Sequence, residues 1–290
     1  MPTTRFAPSP TGLLHLGHAF AALTAFEAAQ GGQFVLRIED LDPARSRPEY
    51  EQAIREDLGW LGLSWREPLL RQCERGAAYE GALAQLAERA VLYPCFCTRS
   101  RIAAEIAQAI EAPHRTEVAD GTQAAVYPGT CRGLTSAERQ RRIAAGTPHV
   151  LRLDTARAAA AVPALTFNEC GAGPRGQHGV IAVEPARLGD VVLARKGMPA
   201  AYHLAVVIDD AFQGITLVTR GNDLFAATHV QRLLQALLGL PTPHYAHHRL
   251  ILDALGRKLS KRDRAATLRS LRDQGVSAAD IRRRLGLAVT

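Results

Sequence analysis

Thr3-Thr4-Arg5-Phe6-Ala7-Pro8-Ser9-Pro10-Thr11-Gly12, running on through His15-Leu16-Gly17-His18 to Arg37-Ile38-Glu39-Asp40, decides the fold of this 290-residue chain. Thr3 to Phe6 is a short extended run. Pro8, Pro10 and Gly12 interrupt it, because the residue before a proline is driven out of the helical region. A helix is predicted over residues 16–30 with Gly31-Gly32 placed to end it, and residues 34–38 read as a second strand, apolar enough to be buried in a parallel sheet. Strand, loop, helix and strand form a βαβ unit with a right-handed crossover, hence an α/β chain.

Outward from that unit, helices are predicted over residues 49–61 and 77–91. From Tyr93 to Gly146 the periodicity weakens and three cysteines appear among glycines and prolines, which reads as an insertion. Strand patterns return at 149–153, 189–194, 202–208 and 214–218, followed by a helix over 226–238 and a basic helix near 279–285. The expected division is a first half of a nucleotide-binding domain (1–92), an inserted subdomain (93–148), the second half (149–240) and a loop with a helical C-terminal segment (241–290). The residues after Arg262 are too few for a further domain, so none that reads an anticodon is expected.

Hydrophobic residues make up 47% and charged residues 22%, which argues against disorder, and no apolar run is long enough for a membrane span. The N-terminus carries no signal-peptide pattern, so the cytoplasm is the expected compartment, with thiols or metal ligands rather than a disulfide framework. A formal charge of +7 favours an anionic partner. The lysines are more specific: only Lys196, Lys258 and Lys261 occur, and two of them fall inside Lys258-Leu259-Ser260-Lys261-Arg262. A compact ammonium is wanted there.

A helix N-terminus after a βα turn offers free N–H groups to anions, and His15 and His18 there can donate to phosphate oxygens. Gly17 removes the side chain that would keep a flat base off the helix. Arg37 and Asp40 read as structural ion-pairing residues. Cys95-Phe96-Cys97 with Cys131 are plausible zinc ligands lacking a fourth, for which His114 or His149 is the usual choice. Cys73 and Cys170 have no partner at such spacing and read as structural, and Trp60 and Trp65 as core.

The opening segments resemble the class I aminoacyl-tRNA synthetases, whose "HIGH" motif has the form of His15-Leu16-Gly17-His18. Lys258-Leu259-Ser260-Lys261-Arg262 resembles their "KMSKS" loop. Arg5 to Gly12 followed by Arg37 to Asp42 is similar to the glutamyl-tRNA synthetase branch, and the whole chain to its truncated paralogues, the glutamyl-Q tRNA(Asp) synthetases. The resemblance implies a Rossmann-like parallel-sheet catalytic domain with an inserted zinc-containing subdomain, and activation of L-glutamate by ATP and magnesium. The glutamyl group would pass to tRNA(Asp) carrying queuosine; the alternatives are the 3′ end of a tRNA, or a non-catalytic nucleotide- or RNA-binding paralogue.

Residue by residue, the resemblance implies that Arg5, Phe6, Ala7, Pro8 and Ser9 form the substrate strand and that Glu39 pairs with the substrate ammonium. Tyr202 and Arg220 would face its side-chain carboxylate. His15, Gly17, His18, Lys258, Ser260 and Lys261 would hold ATP, with His15, His18 and Lys261 catalytic. Val206 stands where the branch has an asparagine, so one polar substrate contact is missing. The fourth zinc ligand implied by the resemblance is Tyr127, four residues before Cys131. A monomer without a membrane partner is expected.

Overall fold

A computed structural model describes residues 1–98, 100, 102, 127–252 and 266–288. The opening unit forms as its sequence predicts: β1 (Thr3–Phe6), α1 (Leu16–Ala28) and β2 (Gln33–Ile38). α2 (Pro48–Trp60) follows, then β3 (Arg66–Arg71), which lies parallel to β2 as β1 does on the other side. α3 (Gly76–Glu88), β4 (Leu92–Cys95), α4 (Ser136–Ala144), β5 (Val150–Leu153), α5 (Thr155–Ala160), β6 (Thr166–Glu169), β7 (Gly179–Ala182) and β8 (Val192–Arg195) lead into the second half. There α6 (Tyr202–Phe212), β9 (Leu217–Gly221), α7 (Phe225–Leu238) and β10 (His244–His248) complete the fold, and α8 (Leu268–Asp273) and α9 (Ala278–Leu285) come last.

β6, β10 and β9 run parallel, with β7 antiparallel at the edge. The Thr216 N–H donates to Thr3 O at 3.0 Å, and the Thr3 N–H to Thr216 Oγ1 at 2.9 Å, which brings the start of β1 beside the strand β9. The C-terminal ends of β1, β2, β9 and β10 gather at one edge, the place where an open parallel sheet binds its ligands. β4, β5 and β8 form a separate antiparallel sheet.

Two of the expected elements are corrected. Residues 202–208 form the first two turns of α6, not a strand, and the next strand runs Leu217–Gly221 rather than 214–218. Leu204 through Asp210 are all buried, so the segment carries no one-sided pattern, and a short apolar run does not distinguish strand from helix. α6 packs with α3 and α7 in a core containing Tyr79, Leu204, Val207 and Leu234. A second core joins α1, β1 and β2 to Leu268, Leu271, Ile281 and Leu285 of α8 and α9. Trp60 and Trp65 are partly buried against it. Among the described residues no helix is long and apolar enough to cross a membrane.

The end of α6 carries adjacent buried carboxylates that bind it to the first half of the chain. Asp210 Oδ1 accepts from Arg5 Nε at 3.1 Å and from Arg37 Nη1 at 2.7 Å. Asp209 accepts from Gln72 Nε2 at 2.8 Å, Arg75 Nε at 3.2 Å and the Tyr79 hydroxyl at 2.7 Å. Burial opposes the charge on Asp210, but Arg5 and Arg37 outweigh it and hold the carboxyl below its usual range. Removing it strands two buried guanidiniums, so Asp210→Ala is expected to cost about 3–5 kcal/mol. Urea unfolding of the variant measures this, and a loss under 1 kcal/mol, about the worth of an exposed pair, would contradict it.

Candidate functional site

A cavity of about 290 Å³ opens at the gathered strand ends. Arg5, Phe6 and Ala7 line it from β1 and the residue after it, His15, Gly17 and His18 from the start of α1, and Glu39 from just past β2. Tyr202 at the start of α6 and Arg220 near the end of β9 complete the set of predicted site residues that the fold brings together. Pro8 and Ser9 do not line this cavity; the Pro8 carbonyl instead accepts from the Glu39 N–H at 3.0 Å, which ties the two loops.

Lys258, Ser260 and Lys261, with Leu259 and Arg262, lie outside the described residues. The chain on either side of them is described. Leu250 and Ile251 line the cavity, Thr267 forms a β-bridge with His15, and the Leu268 N–H donates to Leu14 O at 2.8 Å.

The two histidines are fixed by the helix they start. His15 is the N-cap of α1: its Nδ1 accepts from the Gly17 N–H at 3.1 Å, while its own N–H donates to His18 Nδ1 at 3.2 Å. This is a capping box made of imidazoles. With both Nδ1 atoms accepting, the proton of each neutral ring is assigned to Nε2, which makes Nε2–H the donor of each. The rings stand 3.8 Å apart. A Cβ on Gly17 would come within 3.0 Å of the His15 ring, so this glycine also makes room for the cap.

Three buried arginines reach the site, in different electrical states. Arg5 and Arg37 share Asp210. Arg37 also stands 3.8 Å from Glu39, which bears out its structural ion pair, and Asp40 accepts from the Cys73 N–H at 2.8 Å. Arg220 has only neutral partners: its Nε donates to His247 Nε2 at 3.1 Å, Nη1 to Gln231 Oε1 at 2.7 Å and Nη2 to Thr228 Oγ1 at 2.6 Å. Among the described residues no carboxylate pairs with it, although it is 6% exposed. A buried, unneutralised guanidinium at a cavity wall favours an anion, and planar carboxylate matches its fork. Burial raises Glu39 to about 7, with Arg37 and Arg5 opposing, so this carboxyl exchanges its proton near neutrality.

Val206 is 2% exposed and packs in the α6 core, one turn after Tyr202 and one before Asp210, rather than on the cavity wall. Cys73 and Cys170, expected as structural, are exposed. Sequence reading missed His248 on the wall and Glu169 and His247 behind it, because β6 and β10 carry no motif and were not predicted as strands, and it missed Asp223 on the wall, which follows β9 and belongs to no motif.

Away from the cavity, Cys95 at the end of β4, Cys97 and Cys131 have their sulfurs within 4.8 Å of one another and could hold a metal ion. The Tyr127 hydroxyl lies 3.3 Å from Cys95 Sγ and 3.5 Å from Cys97 Sγ and accepts from the Cys131 N–H at 2.9 Å. The Arg152 guanidinium covers its ring at 3.9 Å. Zinc–sulfur bonds of about 2.3 Å place tetrahedral sulfurs roughly 3.8 Å apart, so the donor set fits. His149 is not part of this cluster, its Nδ1 lying 3.1 Å from Thr147 O, and His114 lies outside the described residues. Elemental analysis is expected to find about one equivalent of metal, lost in Cys97→Ser; equal metal in both proteins removes Cys97 from the set.

Residues 2–288 match the family described as "tRNA synthetases class I (E and Q), catalytic domain". The chain is 48% identical over 287 residues to the glutamyl-Q tRNA(Asp) synthetase of Rhodobacter capsulatus, covering 98% of this chain and 99% of that one. It is 43% identical to the enzyme of the same name from Nocardia farcinica, covering 96% and 81%. The crystal structure of a glutamate tRNA ligase from Elizabethkingia meningosepticum in complex with its amino acid superposes with a TM-score of 0.70 at 31% identity, over 90% of this chain and 52% of that one. This chain thus spans about half the length of that ligase. It belongs to the class I tRNA synthetases of the glutamate and glutamine group.

Proposed function

We propose that this chain is a ligase that activates L-glutamate with ATP and transfers the glutamyl group to queuosine at the wobble position of tRNA(Asp). The observation that carries the glutamate assignment is Arg220, whose buried charge faces the cavity with only neutral partners. Two N–H groups remain on it for a side-chain carboxylate, whereas glutamine's neutral amide would leave the charge unpaired. The queuosine assignment rests on the names of relatives, above all that of one of nearly equal length, 48% identical over nearly the whole chain.

Activation is attack by the α-carboxylate of glutamate on the α-phosphorus of ATP, with the bond to the bridging oxygen breaking and pyrophosphate leaving. Arg5, Phe6 and Ala7 supply the segment along which the amino acid lies, with Pro8 and Ser9 in the loop that continues it, Glu39 takes its ammonium, and Tyr202 stands with Arg220 at its far end. The Nε2–H groups of His15 and His18 donate to phosphate oxygens, Gly17 leaves room for the base, and Lys258, Ser260 and Lys261 follow the departing phosphates. Positioning and charge stabilisation are the whole of the protein's contribution, so loss of one such donor costs about 10²–10³-fold in rate. Magnesium is held by the phosphates and water. In the second step a hydroxyl of the acceptor attacks the adenylate carbonyl and AMP departs.

Zinc is assigned to Cys95, Cys97, Cys131 and Tyr127, where it would tie the end of β4 to the turn at 127–131. The four-part division 1–92, 93–148, 149–240 and 241–290, with the second part facing the RNA, and a monomeric state belong to the same proposal.

Pyrophosphate exchange into ATP should depend on glutamate and proceed without RNA; exchange with glutamine in its place would defeat the assignment. Labelled glutamate should enter tRNA(Asp) bearing queuosine even when its terminal adenosine has been removed, and label that needs an intact 3′ end would point to ordinary charging.

A pH dependence follows from Glu39. Its carboxyl, raised to about 7 by burial, is ionised above that pH and neutral below it. Only the ionised form pairs with an ammonium. The KM for glutamate is therefore expected to climb by up to about tenfold per unit as pH falls below 7. In Glu39→Gln the KM should be high throughout with that slope absent; a wild-type slope surviving in the variant would assign the titration to another group.

A further inference from the structure

Behind Arg220 stands a buried chain of groups without a role so far. Glu169, at the end of β6, is fully buried; its Oε1 accepts from the His247 N–H at 2.8 Å and the Gly171 N–H at 2.9 Å, and its Oε2 lies 2.5 Å from His247 Nδ1. The opposite nitrogen of the same ring, Nε2, faces Arg220 Nε at 3.1 Å and the Thr228 hydroxyl at 3.4 Å. Arg220 Nε–H can only donate. His247 Nε2 must therefore be the bare nitrogen, and the ring proton must sit on Nδ1, pointing at the carboxylate.

We propose that Glu169 and His247 are positioning residues of the glutamate pocket: Glu169 fixes the tautomer of His247 whose bare Nε2 holds Arg220. The inference rests on the glutamate reading of Arg220 given above. Its logic is electrical. A direct carboxylate partner would hold the guanidinium equally well but would consume the charge that selects the substrate. A neutral imidazole placed between them holds Arg220 by a hydrogen bond and keeps the negative charge one ring away.

Two further observations support a built device. A Cβ on Gly171 would come within 2.3 Å of His247 O, so only glycine lets this turn bring its N–H to Glu169 beside the His247 backbone. The Arg220 guanidinium also lies over the Tyr245 ring at 5.4 Å, and the Tyr245 and His247 rings are stacked in parallel at 6.2 Å, so packing restrains the same pair. Burial lowers His247 to about 4, with Glu169 opposing, so the ring is neutral at working pH.

Glu169→Gln replaces an acceptor-only group with one that also donates. His247 can then take the other tautomer, which would set its Nε2–H against Arg220 Nε–H. The KM for glutamate in pyrophosphate exchange is expected to rise about 10–100-fold and the preference over glutamine to fall, with the KM for ATP within about twofold. Ring ¹⁵N shifts of His247 should report Nδ1–H in the wild type and a shift towards Nε2–H in the variant. Wild-type Nε2–H, or an unchanged glutamate KM in Glu169→Gln, would overturn the relay.

Should Glu169→Gln not fold, the pair His247→Gln and His247→Leu decides. The amide oxygen of the first can reach the Nε2 position, so its KM should stay within about tenfold of wild type while His247→Leu loses more; equal losses would overturn the relay. The tautomer readout needs no substrate. A wild type without glutamate-dependent exchange would therefore overturn the glutamate reading by a different mark from that of a failed relay.

Discussion

Everything in the site is referred to one buried carboxylate. Asp210 sits where the end of α6 meets β1 and β2, and its two guanidinium partners come from residues 5 and 37, at opposite ends of the first βαβ unit. An ion pair of this kind contributes less to stability than its Coulomb energy suggests, because both charges were taken from water. What it does secure is registration. Tyr202 begins the helix that Asp210 anchors, Glu39 follows Arg37 by two residues, and the loop after β1 leads to the histidines at the start of α1, so the pair holds three walls of the cavity in one frame.

The charge balance around the cavity is then informative. Arg5 and Arg37 share Asp210, Glu169 is ionised but reaches Arg220 only through a neutral imidazole, and Glu39 stands near its midpoint at neutral pH. Arg220 is thus the one of these three arginines with no carboxylate in direct contact among the described residues, which leaves its charge to the side-chain carboxylate of an acidic amino acid. On binding, its ammonium would draw Glu39 into the ionised form, so one site changes protonation to accommodate a substrate of mixed charge.

How much was legible in the sequence follows from which residues carry local patterns. The first βαβ unit was readable because proline, glycine and an apolar run sit where physical rules place them, and His15, Gly17 and His18 at the start of its helix came with it. Arg5, Phe6, Ala7, Glu39, Tyr202 and Arg220 required resemblance to a family, and the second half was read less well. The mistaken strand at 202–208 is a largely buried stretch of helix, which loses the contrast between wet and dry faces on which period reading depends. By contrast, β6 (Thr166-Phe167-Asn168-Glu169) and β10 (His244-Tyr245-Ala246-His247-His248) do alternate in burial but are short and largely polar, so their apolar positions are too few to show it. Glu169 and His247 are far apart in sequence and meet only through a parallel pairing of Glu169 with Tyr245, so no window of sequence contains them.

The bridge between His15 and Thr267 means that the stretch carrying the two lysines is moored at both ends, by Ile251 at the cavity wall and by Thr267 at the first histidine. Lys261 stands six positions before Thr267 and Lys258 seven positions after Ile251. A fully extended chain covers about 3.5 Å per residue, so the Cα of Lys261 lies within roughly 21 Å of that of Thr267 and the Cα of Lys258 within roughly 25 Å of that of Ile251. Inserting residues between either lysine and its mooring would loosen that covalent bound while leaving the described cavity wall as it is.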